Sequence, residues 1–186
     1  MLYTRKGDKG DTSFFGCKQR FSKNSALAEA LGSVDEINSL LGVCKSKTKK
    51  IKIKINKKTV FLADIIEEIQ QNLFIIQANL AGADKKINKQ KVKYLEEIID
   101  AIEKQLPLIK SFFIPGQTEL SALFDYARTV VRRTERMVVA FSESEKEKVL
   151  LPETLAYLNR LSSILYAVAR LVNAKSGIKE KKPSYK

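Results

Sequence analysis

Histidine is absent from this 186-residue sequence, and its absence excludes several classes of enzyme. A chain without histidine has no imidazole for metal binding, for proton transfer near neutral pH or for a Ser/His triad. The two cysteines, Cys17 and Cys44, are far apart and lack the spacing of metal ligands. Any general base must therefore be a carboxylate, a lysine or a tyrosine.

Glycine and proline are also scarce, with 8 and 4 residues. So few helix breakers favour long helices over many short strands. No run of 18 or more apolar residues is present, so we expect no membrane span. The N-terminus, MLYTRKGDKG, lacks the apolar centre of a signal peptide, and we expect a cytoplasmic protein.

Basic residues outnumber acidic ones, and the formal net charge is +13. This balance favours anionic partners: nucleic acid, phosphorylated small molecules or acidic lipid surfaces. A lysine run spans residues 45–58. Residues 50–55 alternate like a short strand, but we favour a solvated linker between helices. A nucleic-acid patch is the functional alternative, although the aromatic residues expected of single-strand binders are missing.

The periodicity of apolar residues predicts one all-α domain over residues 1–176. Five stretches have helical spacing: 25–44, 59–82, 89–106, 115–141 and 152–176. Their short connections predict an up-down five-helix bundle, preceded by an irregular N-terminal loop over residues 1–24. In the first stretch, a separate helix that begins at Ser33 is an alternative. The polar, basic tail 177–186 is expected to be flexible.

The helix predicted over 115–141 has an unusual polar face. Arg128, Arg132, Glu135 and Arg136 fall on one narrow stripe, at about 100° per residue. Guanidinium groups match phosphate oxygens in pairs, so the stripe indicates a polyanion site that contains one acid. Ion pairs along the helix surface are the alternative interpretation. Asp35 and Glu36 provide acidic partners for the stripe, or lie in the first turn of a helix.

Two loops have features of binding sites. Gly7, Gly10 and Gly16 alternate with acidic residues and hydroxyls, a composition with which backbone N–H groups can wrap phosphates. The spacing is that of neither a Walker A loop nor a GxGxxG motif. The apolar segment 108–118 contains Phe112 and Phe113, which either anchor the next helix or wall a hydrophobic pocket.

Four motifs together resemble the PduO-type ATP:cob(I)alamin adenosyltransferases. They are YTRKGDKGDT from Tyr3, GSVDEINS from Gly32, the segment from Pro115 to Arg136 with its ART and RRTER sequences, and NRLS from Asn159. The resemblance extends to about residue 172. It implies a five-helix bundle that forms a homotrimer, with active sites between subunits. It also implies transfer of the 5′-deoxyadenosyl group of ATP to Co(I) of cobalamin, with release of triphosphate.

The resemblance implies a role for individual residues. The ATP-binding positions are Thr4, Arg5, Gly7, Asp8, Gly10, Thr12, Lys23, Arg132, Glu135 and Asn159. Asp35 and Arg128 match an ion pair that bridges subunits beside the cobalamin, and Phe112 matches an aromatic residue at the lower face of the corrin. Arg132, Glu135 and Phe112 are the expected catalytic residues. Mg²⁺ is expected to bind mainly through the ATP phosphates, with no metal site made by the protein itself.

The expected chemistry needs no histidine, because Co(I) is already a strong nucleophile. The protein must align C5′ with cobalt and stabilise the departing triphosphate. Gln117 and Ser163 depart from the family pattern, which has glycine and an acidic residue there. A non-catalytic ATP or cobalamin carrier or sensor of the same fold is therefore one alternative, and a basic helical nucleic-acid-binding protein is another. The resemblance further implies a reductase that supplies Co(I) and an adenosylcobalamin-dependent acceptor enzyme.

Overall fold

The computed structural model describes residues 3–14, 19–48, 50–56, 58–144 and 152–185. Its five helices are α1 (Ala26–Ser46), α2 (Leu62–Leu80), α3 (Lys89–Glu103), α4 (Glu119–Ser144) and α5 (Pro152–Lys175). Two antiparallel ribbons accompany them: β1 (Asp11–Thr12) with β2 (Phe21–Ser22), and β3 (Lys52–Ile55) with β4 (Lys58–Phe61). The all-α, five-helix fold expected from the sequence is confirmed.

α4 lies at the centre of the bundle. It packs against α1 and α5, while α2 packs on the far side of α1 and α3 on α5. The apolar faces predicted from helical periodicity form one continuous core. Its largest fully buried side chains include Phe124, Phe141, Tyr157, Ile37 and Leu73. Each such side chain contributes about 1.5–3 kcal/mol by leaving water, so the core fixes the position of α4 and its polar face.

α1 is one continuous helix. The Ser25 hydroxyl caps it by accepting a hydrogen bond from the Ala28 N–H at 3.2 Å. The alternative of a new helix at Ser33 is therefore wrong. The Ser33 hydroxyl instead donates to the Ala30 carbonyl, and the Ser33 carbonyl accepts a hydrogen bond from Thr134 at 3.0 Å. This bond joins α1 to α4 beside the basic stripe.

α4 begins later than the Pro115-Gly116 signal predicted, at Glu119. The Ser121 N–H donates to the Thr118 hydroxyl and the Thr118 N–H donates to the Ser121 hydroxyl, each at 3.1 Å. This reciprocal cap satisfies backbone donors at the helix start. Gly116 precedes it with φ of +91°, a conformation that disfavours other residues.

The prediction of a solvated linker over the lysine run is wrong, because much of that run is a β-hairpin. β3 pairs with β4 from Lys52 opposite Phe61 to Ile55 opposite Lys58. Ile53 and Ile55 are buried while Lys52 and Lys54 are exposed. The short-strand alternative was therefore correct, and β3 contacts α3. Lys49 and Lys57 lie outside the described residues.

The described part of the C-terminal tail runs back along the bundle. The Ile114 N–H donates to the Lys181 carbonyl at 2.9 Å, and Glu180 accepts a hydrogen bond from Asn173 at 2.7 Å. These contacts tie the tail to α5 and to the segment before α4, while its flexibility stays a prediction. Within the described residues, no helix is both long and apolar enough to cross a membrane.

Candidate functional site

The N-terminal loop is a series of tight turns held by backbone hydrogen bonds. Arg5 and Gly10 have positive φ angles of 57° and 81°. The Gly10 N–H donates to the Gly7 carbonyl at 3.2 Å, and the Lys23 N–H donates to the Gly10 carbonyl at 2.9 Å. The glycines thus allow the chain to reverse direction, and β1 and β2 hold the returning strand in place.

Lys23 lies against the glycine turn. Its ammonium group donates to the Gly7 carbonyl at 2.9 Å. A Cβ atom at Gly7 would lie 3.2 Å from the Asp11 carbonyl oxygen and 3.3 Å from the Lys23 Nζ. A side chain at position 7 would therefore displace Lys23. The structure brings these two predicted ATP-binding residues together.

Arg20 is a loop residue that sequence analysis missed. Its Nε and Nη2 donate to the two carboxylate oxygens of Asp11 at 2.6 and 2.7 Å, and Nη2 also donates to the Lys6 carbonyl. The guanidinium holds the pKa of the Asp11 carboxyl below its ordinary value. None of the four motifs quoted above includes Arg20, so the sequence does not signal this contact. Arg20 clamps the loop between its first turn and β1.

The other predicted loop residues lie on the surface. The Thr4 hydroxyl accepts a hydrogen bond from the Lys6 N–H at 3.4 Å. Asp8 is exposed, and Thr12 is half-buried in β1. The loop therefore presents a hydroxyl, a carboxylate and several backbone groups to the outside. Gly16 lies outside the described residues.

α4 and α5 bring Glu135 and Asn159 together. The Asn159 side-chain amide donates to Glu135 Oε1 at 3.2 Å. Arg160 donates to the Asn159 oxygen at 3.0 Å and to Glu96 of α3 at 2.8 Å. These three contacts form a chain from α3 to α4, which fixes the orientation of the glutamate. Arg160 was part of the NRLS motif but had no predicted role.

Arg132 is exposed on α4 and makes no ion pair among the described residues. Arg136 donates to the Arg132 carbonyl at 2.9 Å. Like Arg132, it forms no ion pair with a carboxylate of the described residues. Surface ion pairs within the stripe therefore do not account for it. Glu36 pairs instead with Arg133, on the adjacent face of α4. The stripe keeps two uncompensated positive charges beside Glu135.

Arg128 lies at the other end of the stripe and is partly buried. Its Nε lies 3.9 Å from Asp125 Oδ1, while Asp125 pairs with Arg170 of α5 at 2.8 Å. Asp35 is exposed on α1 and lines a small cavity of about 290 Å³ with Asn38 and Phe74. Asp35 and Arg128 do not pair within the described chain.

Phe112 is 77% exposed, which is unusual for a phenyl ring, and lies in the segment between α3 and α4. The next residue, Phe113, turns inward, with its ring centre 5.6 Å from the guanidinium of Arg170. Arg170 falls at helical spacing with the polar residues Asn159, Ser163 and Tyr166 of α5, but it is buried. Phe112 thus projects outward beside Phe113, whose ring faces inward.

The N-terminal loop and the α4 stripe make no hydrogen bond or ion pair with each other in the described chain. A groove of about 710 Å³ lies between α2 and α3 and is lined by none of the predicted site residues. Among the described residues, no three acidic or cysteine side chains are arranged to hold a metal ion. Within one chain, the N-terminal loop and the α4 stripe are therefore separate groups of candidate residues.

The comparisons with known proteins agree on one family. The family model described as "Cobalamin adenosyltransferase" matches residues 2–172. A corrinoid adenosyltransferase of Bacillus subtilis is 39% identical over 185 residues, covering 95% of this chain and 89% of that protein. One from Citrobacter freundii is 34% identical, covering 91% of this chain and 93% of its own length.

Solved structures agree as well. A variant of a PduO-type ATP:corrinoid adenosyltransferase from Lactobacillus reuteri, complexed with cobalamin and ATP, is 35% identical to this chain. The similarity covers 98% of this chain and 99% of the solved chain, with a TM-score of 0.84.

Proposed function

The chain belongs to the cobalamin adenosyltransferase family and is an ATP-dependent corrinoid adenosyltransferase, and we propose that the α4 stripe and the N-terminal loop form its active site. ATP and cobalamin are its small-molecule ligands. It transfers the 5′-deoxyadenosyl group of ATP to the Co(I) of the corrinoid. The observation that most supports the site is the uncompensated Arg132 beside the hydrogen-bonded pair of Glu135 and Asn159.

The N-terminal loop holds the nucleotide. Thr4, Arg5, Gly7, Asp8, Gly10 and Thr12 supply its hydroxyl, backbone and charged groups. Lys23 already lies against Gly7, so its ammonium needs only a small shift to exchange the Gly7 carbonyl for a phosphate oxygen. Arg20 keeps the loop in shape without contacting the nucleotide. A preformed loop reduces the entropy that binding costs.

Arg132 stabilises the triphosphate as it leaves. Its guanidinium has no carboxylate partner among the described residues, so it can bind phosphate oxygens without first breaking an ion pair. Glu135 and Asn159 fix each other and present an amide and a carboxylate to the nucleotide. In the reaction, a pair of electrons on Co(I) forms the Co–C5′ bond, the C5′–O bond breaks, and the triphosphate keeps that bond's electrons.

Mg²⁺ fits this site only as an ion bound by the phosphates. No cluster of three ligating side chains exists in the described part of the chain, whereas the loop offers single carboxylates such as Asp8. When bound, Mg²⁺ neutralises phosphate charge. Arg132 and Lys23 complete that neutralisation from the protein side.

The corrinoid contacts Phe112, Arg128 and Asp35. The exposed ring of Phe112 covers the lower face of cobalt and excludes an axial ligand from Co(II), which makes reduction to Co(I) easier. Arg128 and Asp35 form no ion pair within the described chain, and we propose that they pair between subunits of a homotrimer. The loop of one subunit then meets the stripe of another. The enzyme acts in the cytoplasm, between a reductase that supplies Co(I) and an acceptor enzyme that uses adenosylcobalamin.

The test is an anaerobic assay with reduced cobalamin and Mg-ATP, in which absorbance reports formation of the Co–C bond. Wild-type protein should convert cobalamin. Arg132→Ala should lose about 100-fold or more in kcat, the usual effect of removing charge stabilisation. Glu135→Ala should lose a comparable factor, because the nucleotide loses a contact that positions it. Lys93→Ala is the control, because it removes an exposed positive charge from α3. Equal effects of Arg132→Ala and Lys93→Ala would mean that only net charge matters.

The alternatives have their own outcomes. Gln117 donates to the Ile114 carbonyl at 3.0 Å and Ser163 lies 3.5 Å from the Asn159 carbonyl, so neither departure disrupts the structure around it. A carrier would bind nucleotide but would not convert cobalamin. The substitutions Gln117→Gly and Ser163→Asp should then restore that conversion. Binding of DNA through the hairpin lysines, with a steep loss of affinity in salt, would indicate the nucleic-acid alternative.

A further inference from the structure

A cavity of about 310 Å³ opens between the segment that follows α3 and the C-terminal tail. This volume falls at the lower end of ligand pockets, which measure about 300–1,000 Å³. Most of its walls are apolar. The lining includes Leu106, Leu108, Ile109, Phe113, Ala174 and Ile178. Lys179 and Lys182 line it on the tail side.

One buried polar group in this lining lacks a partner. Arg170 lines the cavity and is only 2% exposed. Its Nη1 and Nη2 are paired with Glu180 and Asp125, at 3.0 and 2.8 Å. Its Nε–H has no hydrogen-bond acceptor among the described residues. Because a buried donor without a partner is costly, a ligand that offers an acceptor here would bind favourably.

The cavity adjoins the residue that covers cobalt. Phe113 lines it, and the preceding residue is the exposed Phe112. In free cobalamin, a nitrogen of the benzimidazole base occupies the lower face of cobalt. When Phe112 takes that place, the Co–N coordinate bond breaks and its electron pair stays on the nitrogen. The oxidation state of cobalt does not change, but a flat apolar base with a free acceptor nitrogen must be accommodated.

We infer that this cavity binds the benzimidazole base displaced from cobalt. The base packs against Phe113 and the aliphatic walls, and the Arg170 Nε–H donates to the freed nitrogen. Lys179 and Lys182 attract the phosphodiester that links the base to the corrin ring. This inference rests on the proposed function, specifically on Phe112 at the lower face. It makes the pocket the part of the enzyme that distinguishes complete cobalamin from corrinoids without a nucleotide tail.

The first experiment fills the cavity from a surface helix position. Ala174 is exposed on the last turn of α5 and lines the cavity, so Ala174→Trp occupies space without removing any described side-chain contact. Kinetics are compared with cobalamin and with cobinamide, which has no base. We expect the KM for cobalamin to rise about tenfold, equivalent to about 1.4 kcal/mol of binding, while the KM for cobinamide and for ATP stays unchanged. Ala83→Trp, at an exposed alanine in the α2–α3 connection, is the control.

The second experiment measures binding without turnover. The isolated dimethylbenzimidazole ribonucleotide is titrated into the folded protein, and its fluorescence anisotropy is followed. Saturable binding is expected for wild type and for Ala83→Trp. It should be weakened by Ala174→Trp and by the double variant Lys179→Ala/Lys182→Ala, whose exposed side chains make no described ion pair.

The results separate this inference from the proposed function. If Ala174→Trp raises the KM for both corrinoids equally, or for neither, or if the ribonucleotide does not bind to wild type, the displaced base lies in solvent and the inference is wrong. If wild type adenosylates neither cobalamin nor cobinamide, the proposed function itself fails.

Discussion

Asp125 of α4 and Arg170 of α5 form an ion pair of 2.8 Å in the protein interior, where their side chains are 6% and 2% exposed. Glu180 of the tail is a second partner of Arg170, at 3.0 Å. Burial raises the pKa of Asp125, and this effect outweighs the attraction of Arg170 and Arg128. The pair thus links the helix of the basic stripe to α5 and to the tail, and it lies beside Arg128, for which we propose a contact with the corrinoid.

Removing this carboxylate should destabilise the fold. Asp125→Ala leaves the buried guanidinium with Glu180 as its only described acidic partner, and the loss of one member of a buried pair costs about 3–5 kcal/mol. Urea denaturation measures the free energy of unfolding. Asp100→Ala, at an exposed position of α3, should change it by less than about 0.5 kcal/mol. Equal stability of the two variants would show that Arg170 is solvated in solution.

The loop clamp by Arg20 should affect nucleotide binding without affecting the bundle. Arg20 is exposed, so Arg20→Ala should leave the melting temperature nearly unchanged but weaken ATP binding about tenfold, by loosening the loop. Arg20→Lys should bind almost as weakly, because a single ammonium nitrogen lacks the planar pair of nitrogens with which Arg20 meets the two Asp11 oxygens. Calorimetric titration with Mg-ATP measures this, and full affinity in Arg20→Lys would show that charge alone suffices.

The Asp11–Arg20 contact also predicts a dependence on pH. The pKa of Asp11 is lowered in the folded loop from its ordinary value of 3.8, so the contact favours the ordered loop fully above that value. This contribution is lost as the pH falls through the lowered pKa. The loop should therefore lose its order only below about pH 3.8, and limited proteolysis at acid pH should cleave it only there. Asp11→Asn should be cleaved readily at pH 7 as well.

Tyr157 should respond at the alkaline end. It is fully buried, and its hydroxyl accepts a hydrogen bond from Asn72 at 3.1 Å, while Lys91 donates to the Asn72 oxygen. Burial raises the pKa of Tyr157 far above its ordinary value of 10.0. The neutral phenol therefore favours folding fully below pH 10, and this contribution is lost as the pH rises towards the raised pKa.

The measurement is a spectrophotometric titration of the six tyrosines, followed together with the helical circular dichroism. Fewer than six should ionise by pH 11, since burial also raises the pKa of Tyr94. The missing tyrosinate absorbance should appear only as helical signal is lost. In Tyr157→Phe, less absorbance should accompany that unfolding step. Ionisation of all six tyrosines in the folded protein would contradict the burial of Tyr157.

The sequence predicted the helices because burial of one face repeats every three or four residues, a local property. It failed at the hairpin for the same reason: Lys52 and Lys54 dominate the composition, while Ile53 and Ile55 find their apolar contacts on distant α3. The end of α2 was predictable, since Gly82 adopts φ of +96° directly after the helix.

Residues of the candidate site were predictable only where they belong to a recognisable sequence motif. Glu135 and Asn159 are 24 positions apart, yet the RRTER and NRLS motifs pointed to both, and the structure joins them. Arg20 has no such motif. The burial of Arg170 has no signal in the sequence either, because its partners Asp125 and Glu180 come from another helix and the tail. Contacts between distant segments need the packed chain, and contacts between subunits need the assembly.

The proposed pairing of Asp35 with Arg128 between subunits can be tested by complementation. Asp35→Ala and Arg128→Ala should each reduce corrinoid adenosylation when prepared alone. The two variants are then mixed in one trimer. An interface is intact when one chain, Arg128→Ala, provides Asp35 and its neighbour, Asp35→Ala, provides Arg128. Random mixing in equal amounts makes about a quarter of the interfaces intact, so about a quarter of wild-type activity should return.

The control combines both substitutions in one chain and mixes it with wild type. In this mixture an interface is intact only between two wild-type neighbours, which meet at about a quarter of the interfaces. The activity should therefore not exceed about a quarter of the wild-type activity. Native mass spectrometry gives the composition of the mixed trimers. If mixing the two single variants restores no activity although mixed trimers form, Asp35 and Arg128 do not act across an interface. The exposed carboxylate on α1 and the partly buried guanidinium on α4 would then contribute separately, each within its own chain.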